Sequence, residues 1–479
     1  MSDTPIEYED LPIQGCEKPP NLPPQPTRLV KNIIIATICL GYFMVILDTT
    51  VVNVALPDIT RQLGATTTGL QWIVDGYALV FASFLLTAGA LGDRLGSKQV
   101  FLGGLVIFTV ASALCGIAPN LWMLQSVRVV QGVGAALLVP AALALLNHSF
   151  ADARERARVI GIWGGIAGIA GGAGPVVGGF LINALSWRSV FFLNVPLGML
   201  GFLLTLRFVP LAPRFSWRGL DLAAQGTGIV TLGLLAFIFI QGGSWGWTSL
   251  PILSAGVVCV LAAGLFLFIE RRTAHPMLPL KLFSSSTFSV ATAAGLLLSF
   301  GFYGELFFIS LFFQQVQGYS PFVTGLVLLP QMGVAVFASA FAGRVTGHLG
   351  PRVPMVIGLL LGGIGFLAMV FVGASTSYVL LCAMLMAIGF GTSFTMPAMT
   401  TAVIDSAPKA NSGIAAAVLN ASRQVGSVLG VALLGAFVSQ RASFVSGMHT
   451  ALGIAGGAFL LACVLTFVFV QRRTPPARE

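Results

Sequence analysis

The sequence predicts an all-α integral membrane protein: fourteen transmembrane helices, arranged as two six-helix bundles with a two-helix insert between them. Three observations predict it. Of 479 residues, 56% are hydrophobic and 9% charged, against about 25% charged in an average soluble domain. Apolar runs of about 20 residues, each long enough to cross a bilayer as a helix, recur along the whole chain. The basic residues gather at alternate ends of those runs. A formal net charge of +9 would suit a nucleic-acid partner if it formed one patch. It is spread between the apolar runs instead, so no nucleic-acid partner is expected.

Residues 1–31 hold five acidic residues and many prolines. They lack the basic start, apolar middle and small-residue cleavage site of a secretory signal, and a disordered cytosolic tail is expected. The first bundle, 32–209, holds runs at 32–57, 70–91, 99–118, 121–147, 159–184 and 189–209. The segment 210–285 carries two more, 221–241 and 250–270, with polar linkers at both ends. The second bundle, 286–470, holds 286–316, 322–343, 353–373, 377–404, 411–439 and 448–470, and 471–479 forms a second cytosolic tail. Gly, Pro or charge bounds each run. The cysteines Cys16, Cys39, Cys115, Cys259, Cys382 and Cys463 form no CxxC pair, so neither disulfides nor a metal site are expected of them.

With the N-terminus in the cytosol, one face collects twenty of the 25 Lys and Arg residues, among them Arg94, Lys98, Arg156, Arg271 and Arg344. The opposite face receives Arg61, Arg188 and Arg441, and Arg128 and Arg423 fall inside runs. This is the positive-inside asymmetry. An even number of spans and two cytosolic termini follow.

An internal repeat supports two halves. Gly89-Ala90-Leu91-Gly92-Asp93-Arg94-Leu95-Gly96-Ser97-Lys98 is echoed 254 positions later by the stretch from Gly343 to Arg352. Gly132, Gly134 and Pro140 are echoed 257 positions later by Gly389, Gly391 and Pro397. Parallel halves with a site at their interface characterise many secondary transporters. Adding 257 to Asp48 reaches Glu305, so the halves are expected to offer equivalent acids from equivalent helices.

Ionisable groups inside spans are costly and mark substrate or proton paths. Asp48, Asp75, Arg128 and Glu305 are therefore the candidate proton-coupling residues. At about 1.5 Å per helical residue, Asp48, Asp75 and Arg128 fall in one layer, where the guanidinium offsets the desolvation of an acid. Burial and a nearby Arg move a carboxyl group's proton affinity in opposite directions, so an acid whose surroundings alternate can load and release protons. The plain alternative for each is a static interhelical bond. Asp75, Trp72, Tyr77, Glu305 and Asn53 are the candidate substrate-binding groups, the two aromatics as stacking faces beside Asp75; Trp72 equally suits an interfacial belt. The fifth run carries glycines at three- and four-residue spacing, Gly171, Gly174, Gly178 and Gly179 among them with Pro175. Such a face allows close helix packing or a sealing contact between halves. His148, His275, His348 and His449 lie far apart, which argues against an intramembrane enzyme.

In combination, these motifs resemble the drug:proton antiporters of the major facilitator superfamily, in the fourteen-helix branch that includes antibiotic exporters of the methylenomycin A resistance type. The resemblance rests on Leu47 to Pro57, Gly89 to Lys98, Arg128 to Gly134, Gly174 to Gly179, and Trp187 to Gly198. It implies the major facilitator fold and outward export of small amphiphilic compounds driven by protons. It further implies residence in the cytoplasmic membrane of a bacterium, with no cofactor beyond the coupling proton and no obligate protein partner. By position it makes Asp48 and Arg128 the proton-coupling pair, and Gly89, Asp93, Arg94, Gly96 and Lys98 the conformational latch. Asp75 is similar in position to an acid that recognises cations in multidrug members. Ser97 departs from a usual basic residue. Export of a native lipid, peptide or metabolite is the alternative within the same fold.

Overall fold

The computed structural model describes residues 27–150, 152–211, 222–273, 278, 280–373, 375–408, 412–438 and 444–471. The N-terminal tail with Cys16 and Lys18, the linker basic residues Arg214 and Arg218, and Lys409, Arg441, Arg472, Arg473 and Arg478 lie outside the described residues. Among the described residues, fourteen helices are long and apolar enough to cross a membrane. They are α1 (Arg28–Leu63), α2 (Thr67–Leu95), α3 (Ser97–Gly116), α4 (Leu121–Ser149), α5 (Ala153–Ala184), α6 (Ser189–Phe208), α7 (Leu222–Trp245), α8 (Leu250–Arg272), α9 (Ser286–Val316), α10 (Pro321–Leu349), α11 (Arg352–Met369), α12 (Tyr378–Asp405), α13 (Ser412–Phe437) and α14 (Phe444–Phe469).

Local chemistry sets the ends. The helix α1 outruns the apolar stretch on both sides. The Thr27 hydroxyl accepts from the Val30 N–H at its start, and Gly64, with φ of 65°, supplies the left-handed residue that closes it. Residues 89–95, read from sequence as the start of a loop, remain helical. The turn is compressed into Gly96, whose φ of 97° only glycine adopts without strain. The sixth span breaks at Leu193 and resumes at Asn194. The ninth ends in a π-turn, Phe312–Val316.

Helices α1–α6 pack on one another, as do α9–α14. The packing repeats as the sequence does. A Cβ on Gly132 would lie 2.6 Å from the Tyr77 carbonyl, and Gly389 is pressed against the Gln331 carbonyl in the same way. Gly134 abuts the Phe108 backbone as Gly391 abuts that of Gly362. Glycine is required at these four crossings because any side chain would meet backbone.

The insert pairs α7 with α8 and lays α7 against α2 and α13. Buried Gln225 anchors it: the Thr87 hydroxyl donates to its Oε1, and its Nε2 donates to the Ser83 carbonyl at 2.7 Å. On α8, Val257, Val258, Val260, Leu261 and Leu265 are exposed, a surface suited to lipid.

The halves meet along α2–α13 and α5–α10, and they meet at one end only. On the face away from most basic residues, the far face, Gly179 abuts Pro321 and Phe322, and Gly325 is pressed onto the Pro175 carbonyl. Towards the basic face the same glycine stripe of α5 (Gly161, Gly164, Gly165, Gly168) meets nothing within 4 Å, and neither do Gly333, Gly343 and Gly347 of α10. The two helices form a V, sealed at the far face and open towards the basic face.

Two glutamines reinforce the seal from opposite sides. Gln71 Nε2 donates across the halves to the Val431 and Ala432 carbonyls at 2.9 and 2.8 Å. Gln314 Nε2, on the π-turn, donates to the Val54 carbonyl at 3.0 Å. Outside the seal lies a vestibule of about 710 Å³ lined by Pro57, Arg61, Gln315 and Tyr319.

Candidate functional site

The centre of the first half is one carboxylate that accepts hydrogen bonds on both oxygens. Asp48, fully buried on α1, receives Arg128 Nη1 on Oδ2, and Gln131 Nε2 and Asn194 Nδ2 on Oδ1 at 3.0 Å each. Arg128 is as tightly held. Its Nη1 also donates to Gln131 Oε1 at 2.9 Å, its Nε donates to the Ile73 carbonyl at 3.2 Å, and its guanidinium lies 4.2 Å over the Tyr77 ring. Behind them Asn194 Nδ2 donates to Ser112 Oγ, which donates to the Phe191 carbonyl. A buried ion pair persists when such additional bonds satisfy its remaining groups. Five helices converge on it, and the break at Leu193 admits the amide of Asn194.

Within the expected layer of Asp48, Asp75 and Arg128, the guanidinium answers Asp48. Arg128 binds Asp48, and the nearest it comes by hydrogen bond to Asp75 is the carbonyl of Ile73. Asp75 is fully buried, and neither of its carboxyl oxygens has a hydrogen-bond partner. It lies one turn from Gln71 on the face of α2 turned to α13, out of reach of a cavity substrate in this conformation. Asp48 on α1 and Glu305 on α9, the first helix of each half, are both fully buried, but their surroundings differ. Glu305 is buried on α9 and accepts from Gln331 Nε2 at 3.0 Å, with Oε1 unpartnered. Leu385 stands 257 residues after Arg128, buried and apolar, so the second half has the acid without the guanidinium.

Both expected stacking faces beside Asp75 are occupied. The Tyr77 ring is covered by Arg128, and Trp72 packs with Ala78, Ala236, Ile240, Val428 and Ala432, where α2, α7 and α13 meet. Trp72 thus fastens the insert to both halves. Trp72→Ala is expected to cost about 2–3 kcal/mol as a partly filled cavity and to lower the thermal unfolding midpoint in detergent while leaving ligand affinity unchanged. A large fall in affinity at constant midpoint would return Trp72 to the site. Asn53 Nδ2 is turned to the Thr49 carbonyl of its own helix, leaving Oδ1 unpartnered.

Comparison with known proteins fits this architecture. The family model for the Major Facilitator Superfamily matches residues 38–431 and 331–479. The chain belongs to the major facilitator superfamily. That membership makes it a transporter and not an enzyme. It is 37% identical over 438 residues to the methylenomycin A resistance protein of Bacillus subtilis, covering 91% of this chain and 94% of that one. It is 35% identical over 410 residues to the tetracenomycin C resistance and export protein of Streptomyces glaucescens, covering 84% and 75%. A bacterial homologue of the human lysosomal transporter Spinster, solved in an inward-facing, unoccupied conformation, shares the fold with a TM-score of 0.65 at 16% identity, covering 94% of this chain and all of that one.

Two of the sequence motifs take definite places here. Of the residues expected to form the latch, Gly89, Asp93 and Arg94 stand on the last turns of α2, Gly96 makes the turn, and Lys98 Nζ donates to the Leu206 carbonyl at 3.2 Å within its own half. Ser97 is buried, 3.7 Å from where a Cβ on Gly92 would stand. In the glycine stretch of α5, Gly174 and Gly178 abut Thr50 and Val51 of α1, two and three residues beyond Asp48, Gly171 reaches Ile46, and Gly179 and Pro175 touch α10. This stretch therefore couples the acid-bearing helix to the far-face seal.

Sequence reasoning passed over Gln131, Asn194 and Ser112 as ligands of the pair, although Gln131 follows Arg128 at helical spacing and Asn194 is a lone amide in an apolar run. It also passed over Gln71 and Gln314, and left Arg423 unassigned.

Proposed function

We propose that this protein is a proton-coupled antiporter that exports small amphiphilic compounds, antibiotics among them, across the cytoplasmic membrane by alternating access. One observation carries the reading. A fully ligated Asp48–Arg128 pair is packed directly behind the α1–α5 contact that continues into the far-face seal. Protonating Asp48 removes the charge that answers the guanidinium and loosens Gln131 and Asn194 with it. That local change shifts α1 against Gly174 and Gly178, which is the contact that has to slide for the far face to open. With the basic face cytosolic, both termini inside and the V open inward, the conformation is the one that loads substrate from the cell. The relatives' names as resistance and export proteins support the direction. The coupling ion is the proton, the substrate a small molecule, and a single chain surrounded by lipid suffices. Efflux from proteoliposomes under an imposed pH gradient tests the whole: accumulation that a protonophore abolishes is expected, and gradient-independent leakage would sink it.

Asp75 is the second proton-carrying acid in this reading, since a fully buried carboxyl with no protein hydrogen-bond donor is costly to keep charged. Asp75→Asn is expected to lower transport of cationic, anionic and neutral compounds by the same factor and to change the number of protons moved per substrate. A loss confined to cations would assign Asp75 to substrate recognition instead.

A further inference from the structure

The second half holds a cation that the proton path does not use. Arg423 lies on α13, 11 residues beyond Ser412, which at about 1.5 Å per residue is roughly 16 Å into the span. A guanidinium at that depth is costly unless it is paired or faces a water-filled cavity. Among the described residues no carboxylate lies within ion-pair distance of it. Its partners are weak, Asn420 Oδ1 at 3.5 Å from Nη1 and Met396 Sδ at 3.7 Å from Nη2, and its buried Nε has none. Glu305, the acid of its own half, is tied to Gln331.

Arg423 is half-buried and faces the opening between the halves. Tyr42, on α1 of the opposite half, and Tyr303 of α9 both lie in the neighbourhood of Arg423. Tyr42 stacks on Trp163 of α5 with ring centroids 4.0 Å apart and planes 14° from parallel. Trp163 stands on the stretch of α5 where Gly161, Gly164, Gly165 and Gly168 meet nothing. The opening thus receives the outer face of a stacked Tyr42–Trp163 pair from one half and a guanidinium short of acceptors from the other.

We propose that Arg423 is an anion-recognition subsite and that the preferred cargo is a small organic acid: a carboxylate on a flat, apolar body. The fork of Arg423 takes the carboxylate in two parallel hydrogen bonds, the geometry in which arginine exceeds lysine, and the body lies against Tyr42 and Trp163. Because the two contacts belong to different halves, a ligand satisfies both only while the cavity is assembled around it. As a statement about export it rests on the function proposed above, but binding is measurable without transport.

The test is calorimetry on the purified full-length protein in detergent with three probes of one shape: 1-naphthoate, its methyl ester and 1-naphthylmethylammonium. The wild type is expected to bind naphthoate at least about tenfold more tightly than either of the others. Arg423→Gln should erase that preference while ester binding stays as it was, and Arg423→Lys should keep part of it. A preference that survives Arg423→Gln, or a wild type that favours the ammonium, overturns the proposal. Should Arg423→Gln unfold the protein, quenching of tryptophan fluorescence in Trp163→Phe against wild type locates the probe instead, and naphthoate that binds without contacting the Tyr42–Trp163 wall also overturns it. Naphthoate bound selectively but not moved in proteoliposomes would leave the subsite standing and refute the exporter.

Discussion

Asp48→Asn is expected to reduce pH-gradient-driven efflux in proteoliposomes to the level of empty vesicles. Asn preserves the shape of Asp48 and removes what the site is built on, an acceptor on both oxygens. In the wild type Oδ2 takes Arg128 while Oδ1 takes both Gln131 and Asn194. An amide leaves either the guanidinium or the two neutral donors facing an N–H. Gln131 cannot turn its amide to compensate without pointing an N–H at Arg128 Nη1, which its Oε1 now accepts from, and Arg128, bonded also to the Ile73 carbonyl and stacked on Tyr77, cannot withdraw. The cost of a buried charge stripped of its partner is about 3–5 kcal/mol, so the variant should also unfold at a lower temperature. Stability and mechanism separate in the double variant Asp48→Asn/Arg128→Gln, which no longer buries an unpaired charge. It should regain most of the thermal midpoint and none of the transport. Recovery of efflux along with stability would show that the pair is a structural clamp.

What the sequence disclosed and what it hid follow from the range of the forces involved. Hydropathy is local and the bilayer fixes the length of a span, so all fourteen helices were legible from apolar runs, with ends displaced by a few residues where caps such as Thr27 and Gly64 act. Asp48 and Arg128 stood out because a charge in an apolar run is conspicuous by itself. Their ligands were not: Asn194 and Ser112 are ordinary polar residues until the fold joins Asn194 to Asp48 across 146 positions and to Ser112 across 82. Partner choice is a matter of distance, so depth along the span alone does not say which of Asp48 and Asp75 the guanidinium answers: it binds Asp48, and the Asp75 carboxyl has no hydrogen-bond partner. The glycine stripe of α5 was visible throughout its length, but only the contacts divide it into a sealed half and an open half. Trp72 was misread because α7 contributes the rest of its packing, and an insert's docking face carries no local signal.

Gly325→Ala is expected to abolish transport while raising, or leaving unchanged, thermal stability. A glycine to alanine change inside a helix favours the helical state by about 1 kcal/mol, so any loss of function comes from what the added methyl strikes. On Gly325 it overlaps the carbonyl of Pro175 and comes within 2.8 Å of its carbonyl carbon. These are backbone atoms of α5, which have no rotamer to escape into. The closed far face then becomes the strained state, and the population moves towards molecules parted at that end. Spin labels at Arg61→Cys and Gln315→Cys, both lining the vestibule, should report a longer distance in the variant by electron–electron resonance. Gln71→Leu acts at the same seal through a weaker force. The carbonyls of Val431 and Ala432 already lie within a helix, so the glutamine adds about 1 kcal/mol of hydrogen bonding, and its loss should change the closed population by only a few-fold with transport retained. The steric variant must therefore exceed the hydrogen-bond variant in both spin-label shift and activity loss; the reverse order, or unchanged distances in Gly325→Ala, would mean that the α5–α10 contact is not the gate.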